Sequence, residues 1–437
     1  MMELDKLPSK YDVKDTEILS KIVKGFESKI VGEENNIKLL WCACISKDLP
    51  QKYRLSVIIT SQSSAGKSNL VNTIIEPFKE DVIDFTDYTP AFLQRSEYML
   101  NGKIFKMEQM ERTNDKHQVS LSNLKFLLSE GKLKIGLVDT DDKGKKVPRT
   151  LVINGIPVFI STSTNHNIDP ETQNRTFLMQ IDESEEQTKK IASHIFKQYS
   201  TLTINDIWQK EVEELEKLAN VYKGLAHQIT DIIIPFGNKL LERIPIANLE
   251  IRRHLQKVLN LTSMITFIHA SNRIRIRDNE GKNFFTDQWG NTENRYTYTL
   301  VAEPTDLQEA LQIGGETIKQ TLNKLNKSSM DIYKSFIELY HENENEGITV
   351  KDMAQKTHLS QNRARELLSQ LLNSGHLTRE KSAREYHYFA TEKKFQDINI
   401  SDIVFTKEEL EQVLQKELNG HADRLEIIYP TDSVLMS

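Results

Sequence analysis

Cysteine is nearly absent: the 437 residues hold two, Cys42 and Cys44. They are near neighbours in Trp41-Cys42-Ala43-Cys44, too close within one element to bridge easily and without the second pair that a zinc site uses. Both read as reduced core thiols, which points to a reducing, cytoplasmic compartment. Long apolar runs are lacking too. No stretch approaches the roughly 18 apolar residues that cross a bilayer, and residues 1–15 mix charges of both signs without an apolar signal core. Neither export nor membrane embedding is therefore expected. Glycine and proline are sparse, 17 and 11 residues, which excludes collagen-like and low-complexity chains. A basic excess is also missing: 57 Lys plus Arg stand against 63 Asp plus Glu, a formal net charge of -6 and a pI near 6.1. Nucleic acid or an anionic membrane could then be met only through local patches.

What is present is a length that asks for several domains, with 38% hydrophobic and 27% charged residues in a soluble, helix-leaning balance. Residues 16–46 carry helical periodicity broken at Val31-Gly32-Glu33, which predicts two helices and a turn. Leu55 to Thr60 is a β-branched run that predicts a strand, followed by a polar loop and a helix from Asn69 to Phe78. Further strands are expected at Lys103 to Met107 and Ile156 to Ser161, with a helix at Leu121 to Ser129. Two alternating segments, Lys132 to Val138 and Val147 to Ile153, flank the turn residues Asp142-Lys143-Gly144-Lys145 and predict a β-hairpin. Alternating strands and helices imply an α/β fold with a largely parallel sheet covered on both faces. From Glu185 to Leu261 nearly everything reads as helix, and Asp278 to Asn294, rich in Asn, Asp and Gly, reads as a loop. A helix from Pro304 to Leu325 precedes helices at Asp331 to Tyr340, Thr349 to Thr357 and Ser360 to Asn373, then strands at Leu377 to Glu380 and Tyr386 to Ala390. That order is a winged helix. The expected division is 1–30, 31–184, 185–328, 329–392 and a tail, 393–437, with one acidic amphipathic helix at Lys407 to Glu417.

Ser63-Ser64-Ala65-Gly66-Lys67-Ser68-Asn69, after a buried strand and opening a helix, is a phosphate-binding context. Backbone N–H groups at the helix start meet phosphates, Lys67 reaches the β and γ phosphates of ATP, and Ser68 can ligate Mg²⁺. The full motif wants glycine at position 61. Ser61 can stand there only if that backbone position avoids positive φ. An ATPase also needs a second strand ending in acids, one for the metal and one to polarise the attacking water. Ile104 to Glu111 is the candidate, with Glu108 in the metal-proximal position. Gln109 follows where a catalytic glutamate belongs, and an amide cannot act as a carboxylate base. Three readings stay open: a hydrolysis-poor protein, a shifted frame in which Glu111 serves, or an introduced Glu→Gln change that traps ATP.

The sequence resembles the AAA+ ATPases of the minichromosome maintenance-like helicase group, and within it the helicase-type ATPases of plasmids, viruses and integrated elements, often fused to primases. The resemblance covers about Ile30 to Leu325 and rests on Ser63 to Ser68, the strand end at Glu108, the hairpin, and Pro170 to Arg175. Ile181 to Ser184, Glu186 to Thr188 and Arg253 to Leu259 add to it. It implies an AAA+ P-loop NTPase with a presensor-type β-hairpin, a helical lid and a C-terminal winged-helix domain. It further implies that Asn165, or else Thr164, senses the γ-phosphate; Asn165 as a simple turn cap is the alternative. Arg175 matches an arginine finger inserted by a neighbouring subunit, against the plainer reading of a surface salt bridge. Arg253 matches a second sensor arginine, with Arg252 beside it as a competitor.

A site completed in trans needs an assembly, and similar proteins are usually hexamers, so a homo-hexameric ring around DNA is implied. The hairpin is the element expected to grip DNA. Lys143, Lys145 and Lys146 at its tip and Arg149 beyond suit sequence-independent phosphate contact, or else protect an exposed edge from pairing. In the winged module Gln361, Asn362, Arg363 and Arg365 open the third helix and Lys381 and Arg384 lie in the wing. DNA contact and protein docking remain equal alternatives there. The expected function is an ATP-dependent DNA helicase or translocase of a mobile element, plasmid or virus. The rivals are a DNA-loading switch with little hydrolysis and a winged-helix regulator. No zinc-binding or primase segment is seen, so a primase or other replication partner would be a separate chain.

Overall fold

The computed structural model describes residues 10–61, 66–85, 100–108, 115–140, 144–164, 168, 170–200, 205–241, 251–286, 292–323, 325, 327–382, 385–393, 395, 406–418 and 424–430. They fall into two compact units. The first comprises Met1–Leu241, Arg253–Gly314 and Ile403–Ser437, and the second Glu242–Arg252 and Gly315–Asp402.

The first unit opens with α1 (Ile18–Phe26) and α2 (Glu34–Ser46). Ile18, Leu19, Ile22, Val23 and Phe26 recur at the helical period and all are buried. Helix α2 is buried on every side from Leu39 to Ser46, so it is a core helix rather than a surface one. Cys42 and Cys44 lie in it, and burial pushes both thiols up, Cys44 to about 12. Gly32, at φ +68°, makes the turn between the helices; a Cβ there would stand 2.7 Å from the Gln187 side chain.

Strand β1 (Val57–Thr60) leads into α3 (Lys67–Ile75), and β2 (Val82–Phe85), β3 (Ile104–Met107) and α4 (Asp115–Glu130) follow. Next come a hairpin of β4 (Lys132–Thr140) and β5 (Lys146–Asn154), then β6 (Val158–Ser163), α5 (Pro170–Arg175) and β7 (Phe177–Gln180). Helix α3 stops before the expected Phe78 because Pro77 has no N–H for a helical bond; a 3₁₀ turn, Glu76–Asp81, takes over. Five strands form one sheet in the order β2-β3-β6-β1-β7, and every neighbouring pair is parallel. Alternate residues feed two cores. Val57, Ile59, Ile104, Val158, Ile160, Phe177 and Met179 face the helices α1 and α2. Ile58, Phe105, Met107 and Phe159 face the opposite way, onto Leu127 of α4 and onto Leu133 and Ile153 at the base of the hairpin. The sheet is thus the middle of three layers, an α/β fold as expected.

Beyond it run α6 (Glu185–Ser200), α7 (Asn205–Ala226), β8 (Ile229–Ile233), the short α8 (Gly237–Leu241), α9 (Ile251–Ile268), β9 (Arg275–Thr286), β10 (Thr292–Val301) and α10 (Pro304–Asn323). Two expectations fail here. The region expected to be nearly all helix contains β8, which follows the β-branched run Ile229 to Ile234 and pairs parallel with β10. The expected loop at 278–294 is mostly strand: β9 and β10 pair antiparallel from Arg275–Leu300 to Thr286–Thr292. Its Asn, Asp and Gly residues are outweighed by the alternating Tyr296-Thr297-Tyr298-Thr299, of which Thr297 and Tyr298 are buried.

The second unit holds α11 (Lys327–Glu342), α12 (Val350–Thr357), α13 (Gln361–Asn373) and the antiparallel pair β11 (Leu377–Ser382) and β12 (Glu385–Ala390). Thr349 and Asp352 form a reciprocal capping box at the start of α12, and Ser360 accepts the Arg363 N–H at the start of α13. Phe336, Met353, Leu367, Leu368, Leu371 and Tyr388 fill its own core. In the first unit again, α14 (Lys407–Leu418) buries Leu414, and β13 (Leu425–Ile428) adds an edge to β9, giving a second sheet in the order β13-β9-β10-β8. Among the described residues no helix is long and apolar enough to cross a membrane.

A charge cluster ties the first unit together. Asp81, closing the 3₁₀ turn, meets Lys47 at 2.8 Å, Lys103 at 3.0 Å and Lys223 at 3.5 Å, and so joins the ends of α2 and β3 to α7. Lys47 is 3% exposed and also pairs with Asp48 at 2.6 Å. Burial would raise the Asp81 carboxyl, but the hydrogen bond and charge of Lys47, with Lys103 and Lys223, outweigh it and hold the group at about 2. A carboxyl depressed in the folded state stabilises fully above its unfolded value near 3.9 and loses that contribution as pH falls toward the folded value. Asp81→Asn should therefore cost about 1–2 kcal/mol at pH 7, and urea titrations should show the gap to the parent chain narrowing between about pH 4 and pH 2.

Candidate nucleotide site

Strand β1 ends at Thr60 with all four of its residues buried, and Ser61 continues it by donating its N–H to the Ser163 carbonyl at 3.3 Å. Gly66 caps α3 in the left-handed region at φ +94°, and among the described residues no atom lies within 4 Å of where a Cβ would stand. Lys67, Ser68 and Asn69 form the first turn, whose N–H groups have no partner inside the helix. Lys67 is 9% exposed. Its Nζ donates back to the Ser61 carbonyl at 2.7 Å and to the Ser61 Oγ at 3.2 Å. The ammonium is thereby folded across the mouth of the loop. The positive-φ residues other than glycine, among those described, are Glu33, Glu344, Asn345 and His358. Ser61 is not one of them, so the condition set by the missing glycine is met. Ser63, Ser64 and Ala65 lie outside the described residues.

The family described as the MTBMA_p00010 P-loop domain matches residues 7–227, just over half of the chain. The chain belongs to that P-loop family. It is an α/β P-loop NTPase by fold, and a P-loop domain binds nucleotide, typically with Mg²⁺. The full-length MCM homologue from Methanopyrus kandleri is similar at 10% identity over 69% of this chain and 59% of its own, with a TM-score of 0.40. The Thermotoga maritima RuvB Holliday junction branch migration motor matches at 12% identity over 83% of this chain and 93% of its own, with a TM-score of 0.27. The NrS-1 C-terminal region matches at 11% over 89% and 77%, with a TM-score of 0.25. The chain thus spans less than two thirds of the MCM homologue's length. No curated protein matches the sequence.

Around the P-loop the sheet order brings β3 two strands from β1, about 10 Å away between strand axes. Glu108 follows β3 directly, so it stands on the same edge of the sheet as the start of α3. Lys106, a residue that sequence reasoning passed over, is buried beneath it. Its Nζ pairs with Asp84 at 2.8 Å and with Glu108 at 3.5 Å, which leaves the Glu108 carboxylate partly exposed. A lysine inside a short apolar strand offered no signal by composition; only the register with Asp84 of β2 explains it. Between β3 and β1, β6 is fastened by the Ser161 Oγ, which donates to the Met107 carbonyl at 2.9 Å, and exposed Thr164 follows its last residue. Arg175, the last residue of α5, pairs with Glu171 at 2.8 Å. Arg253 lies in α9, and its side chain is outside the description. Gln109, Glu111 and Asn165 also lie outside the described residues.

The basic residues separate into two places. Lys145, Lys146 and Arg149 are exposed at and after the Gly144 turn of the hairpin; Lys143 is outside the described residues. In the second unit Arg363 pairs with Glu366 at 2.8 Å, Arg365 donates to Asn362 at 3.3 Å, and Lys381 is exposed on β11. Arg384 is outside the description.

Lys67→Ala removes the only ammonium drawn across the loop mouth among the described residues while leaving β1 and α3 intact, and it should weaken ATP binding about 10- to 100-fold, read by fluorescence titration with a labelled nucleotide. Gly66→Ala meets no neighbour among the described residues but forces a Cβ into the left-handed region. It should lower the chemical-denaturation midpoint by the equivalent of about 1 kcal/mol with no loss of secondary structure in the circular dichroism spectrum.

Proposed function

We propose that the protein is an AAA+ ATPase that works as an ATP-dependent DNA helicase or translocase, a homo-hexameric ring around single-stranded or forked DNA that serves replication of a mobile element, plasmid or virus. The observation that carries this reading is where the hairpin is inserted. Strands β4 and β5 interrupt the chain between β3, which Glu108 follows, and β6, which lies beside the P-loop strand. Their base is fixed to the sheet: the Gly155 N–H donates to the Gly131 carbonyl at 2.8 Å, Val158 N–H to the Lys103 carbonyl at 3.0 Å, and Arg54 donates to Asn101 and to the Ile156 carbonyl. The far end carries exposed Lys145, Lys146 and Arg149, cations suited to phosphates of any sequence. A stiff ribbon rooted where β1, β3 and β6 begin, at the edge of the sheet opposite the nucleotide site, and basic at its tip can be moved by changes at that site carried along β6, which is what a motor needs to move a strand.

In this reading the Lys67 ammonium leaves the Ser61 carbonyl for the stronger anionic acceptors of a triphosphate, and the α3 N-terminus receives the phosphate charge. Ser68 and Glu108 would hold Mg²⁺, which supplies charge neutralisation at the phosphates. Lys106 pairs with Glu108 and orients its carboxylate. Asn165 or Thr164 contacts the γ-phosphate, Arg253 closes the site from α9, and Arg175 enters the neighbouring subunit's site, where its charge stabilises the transition state. Glu111, or a glutamate restored at position 109, orients the attacking water. The three helices and hairpin of the second unit form a winged helix, with Arg363, Arg365, Lys381 and Arg384 as further DNA contacts. A separate primase or replication protein is the expected partner, in the cytoplasm.

Gln109 favours a second reading, an ATP-dependent switch that closes on DNA with little hydrolysis. Both readings are tested on forked DNA. Gln109→Glu should unwind it with ATP and Lys67→Ala should not; absence of any nucleotide-dependent activity on DNA in Gln109→Glu would sink the motor, and ATP-stabilised binding without unwinding would leave the switch. Replacing Lys145, Lys146 and Arg149 with alanine should flatten the salt dependence of DNA binding by about 3 in log–log slope, with ATP affinity unchanged.

A further inference from the structure

Lys257, on α9, is 8% exposed. Its Nζ donates to the Gln173 carbonyl and, at 2.7 Å, to the Thr176 carbonyl, and it lies 5.9 Å from the centroid of the Phe177 ring. Those two carbonyls bracket Arg175 in the chain. They belong to the C-terminal end of α5, where the last C=O groups have no partner inside the helix and the helix dipole favours a cation. Thr176 is held there as well: its N–H and its Oγ both donate to the Thr172 carbonyl, at 3.1 and 2.9 Å. An ammonium brought out of water must recover its hydration from fixed partners, and methionine or leucine would fill the same space without that demand. The charge is therefore placed for what it grips. It grips the peptide backbone on either side of Arg175.

Helix α9 also carries Arg253, four residues and about one turn before Lys257. We propose that Lys257 is a positioning residue that couples α9 to the backbone of Arg175, so that closure of α9 over nucleotide in one subunit sets the reach of that subunit's arginine into the next site. This rests on the reading of Arg175 as a trans-acting arginine. Lys257 touches no reacting atom in this scheme. Its effect appears in the neighbour's turnover and not in its own nucleotide affinity.

The experiment is a subunit-mixing ATPase assay on the full chain, run as it stands and with Gln109→Glu. Lys257→Met alone should bind labelled ATP within about threefold of the parent and turn over about tenfold more slowly. Lys67→Ala alone should be inactive. Mixed in equal amounts, the two should complement. Sites of Lys257→Met subunits would then face neighbours with intact Arg175 placement, and turnover per Lys257→Met subunit should rise about threefold or more. Arg175→Ala mixed with Lys67→Ala is the control and should recover in the same way. If the control recovers and the Lys257→Met mixture does not, Lys257 acts within its own site or on stability alone and the proposal is overturned. If the control fails as well, or neither background hydrolyses ATP, the trans reading beneath the proposal falls and takes the proposal with it. If circular dichroism shows Lys257→Met unfolded, Lys257→Gln, whose amide still donates to one carbonyl, carries the same test.

Discussion

Everything in the first unit hangs on a four-residue strand. Strand β1 has a parallel neighbour on each edge, β6 on one side and β7 on the other, and is buried on both faces. Val57 and Ile59 enter one core and Ile58 the other, and each such side chain contributes about 1.5–3 kcal/mol on leaving water. A strand so enclosed cannot shift register without turning its apolar side chains to the wrong layer. Its end is therefore a fixed point. The turn at Gly66, the start of α3 and the Lys67 ammonium take their positions from it, and the ends of β3 and β6 are set beside it by the same ladder.

The polar groups near this point divide by what they bind. Lys67 donates to the carbonyl and the hydroxyl of Ser61, contacts for which the anionic oxygens of a triphosphate would compete. Lys106 and Lys257 are held differently, one between two carboxylates and one on two peptide carbonyls at a helix end. Neither has a reason to let go. Three buried lysines thus serve in two capacities, one poised for exchange and two built into the frame.

The parts of this arrangement that were legible in the sequence are those with a local signature. The β-branched run before Gly66-Lys67-Ser68 marks the β1–α3 junction, and two alternating segments around a Gly turn mark the hairpin, which appears at Lys132–Thr140 and Asn154–Lys146 in register. Strands β2, β7 and β13 have four residues each, too few to show a period. The pair β9–β10 was hidden by its Asn, Asp and Gly content, because a turn-rich composition says nothing of pairing to a remote partner. The same limit applies to Lys106 and Lys257. Their partners lie 22 residues away at Asp84 and 81–84 residues away at Thr176 and Gln173, and nothing local announces a buried cation.

The second sheet of the first unit is finished from far along the chain. Strand β13 pairs with β9 through Leu425–Asp278 to Ile428–Arg275, and Arg424 reaches Asp278 with two hydrogen bonds. During synthesis β8, β9 and β10 therefore leave the ribosome with one edge bare, and the whole second unit is made before the strand that covers that edge. An exposed strand edge invites pairing with other chains. The protein thus passes through a period, set by the rate of translation across residues 302–428, in which its vulnerability to misassembly is greatest, and its yield on expression should depend on how quickly that interval is crossed.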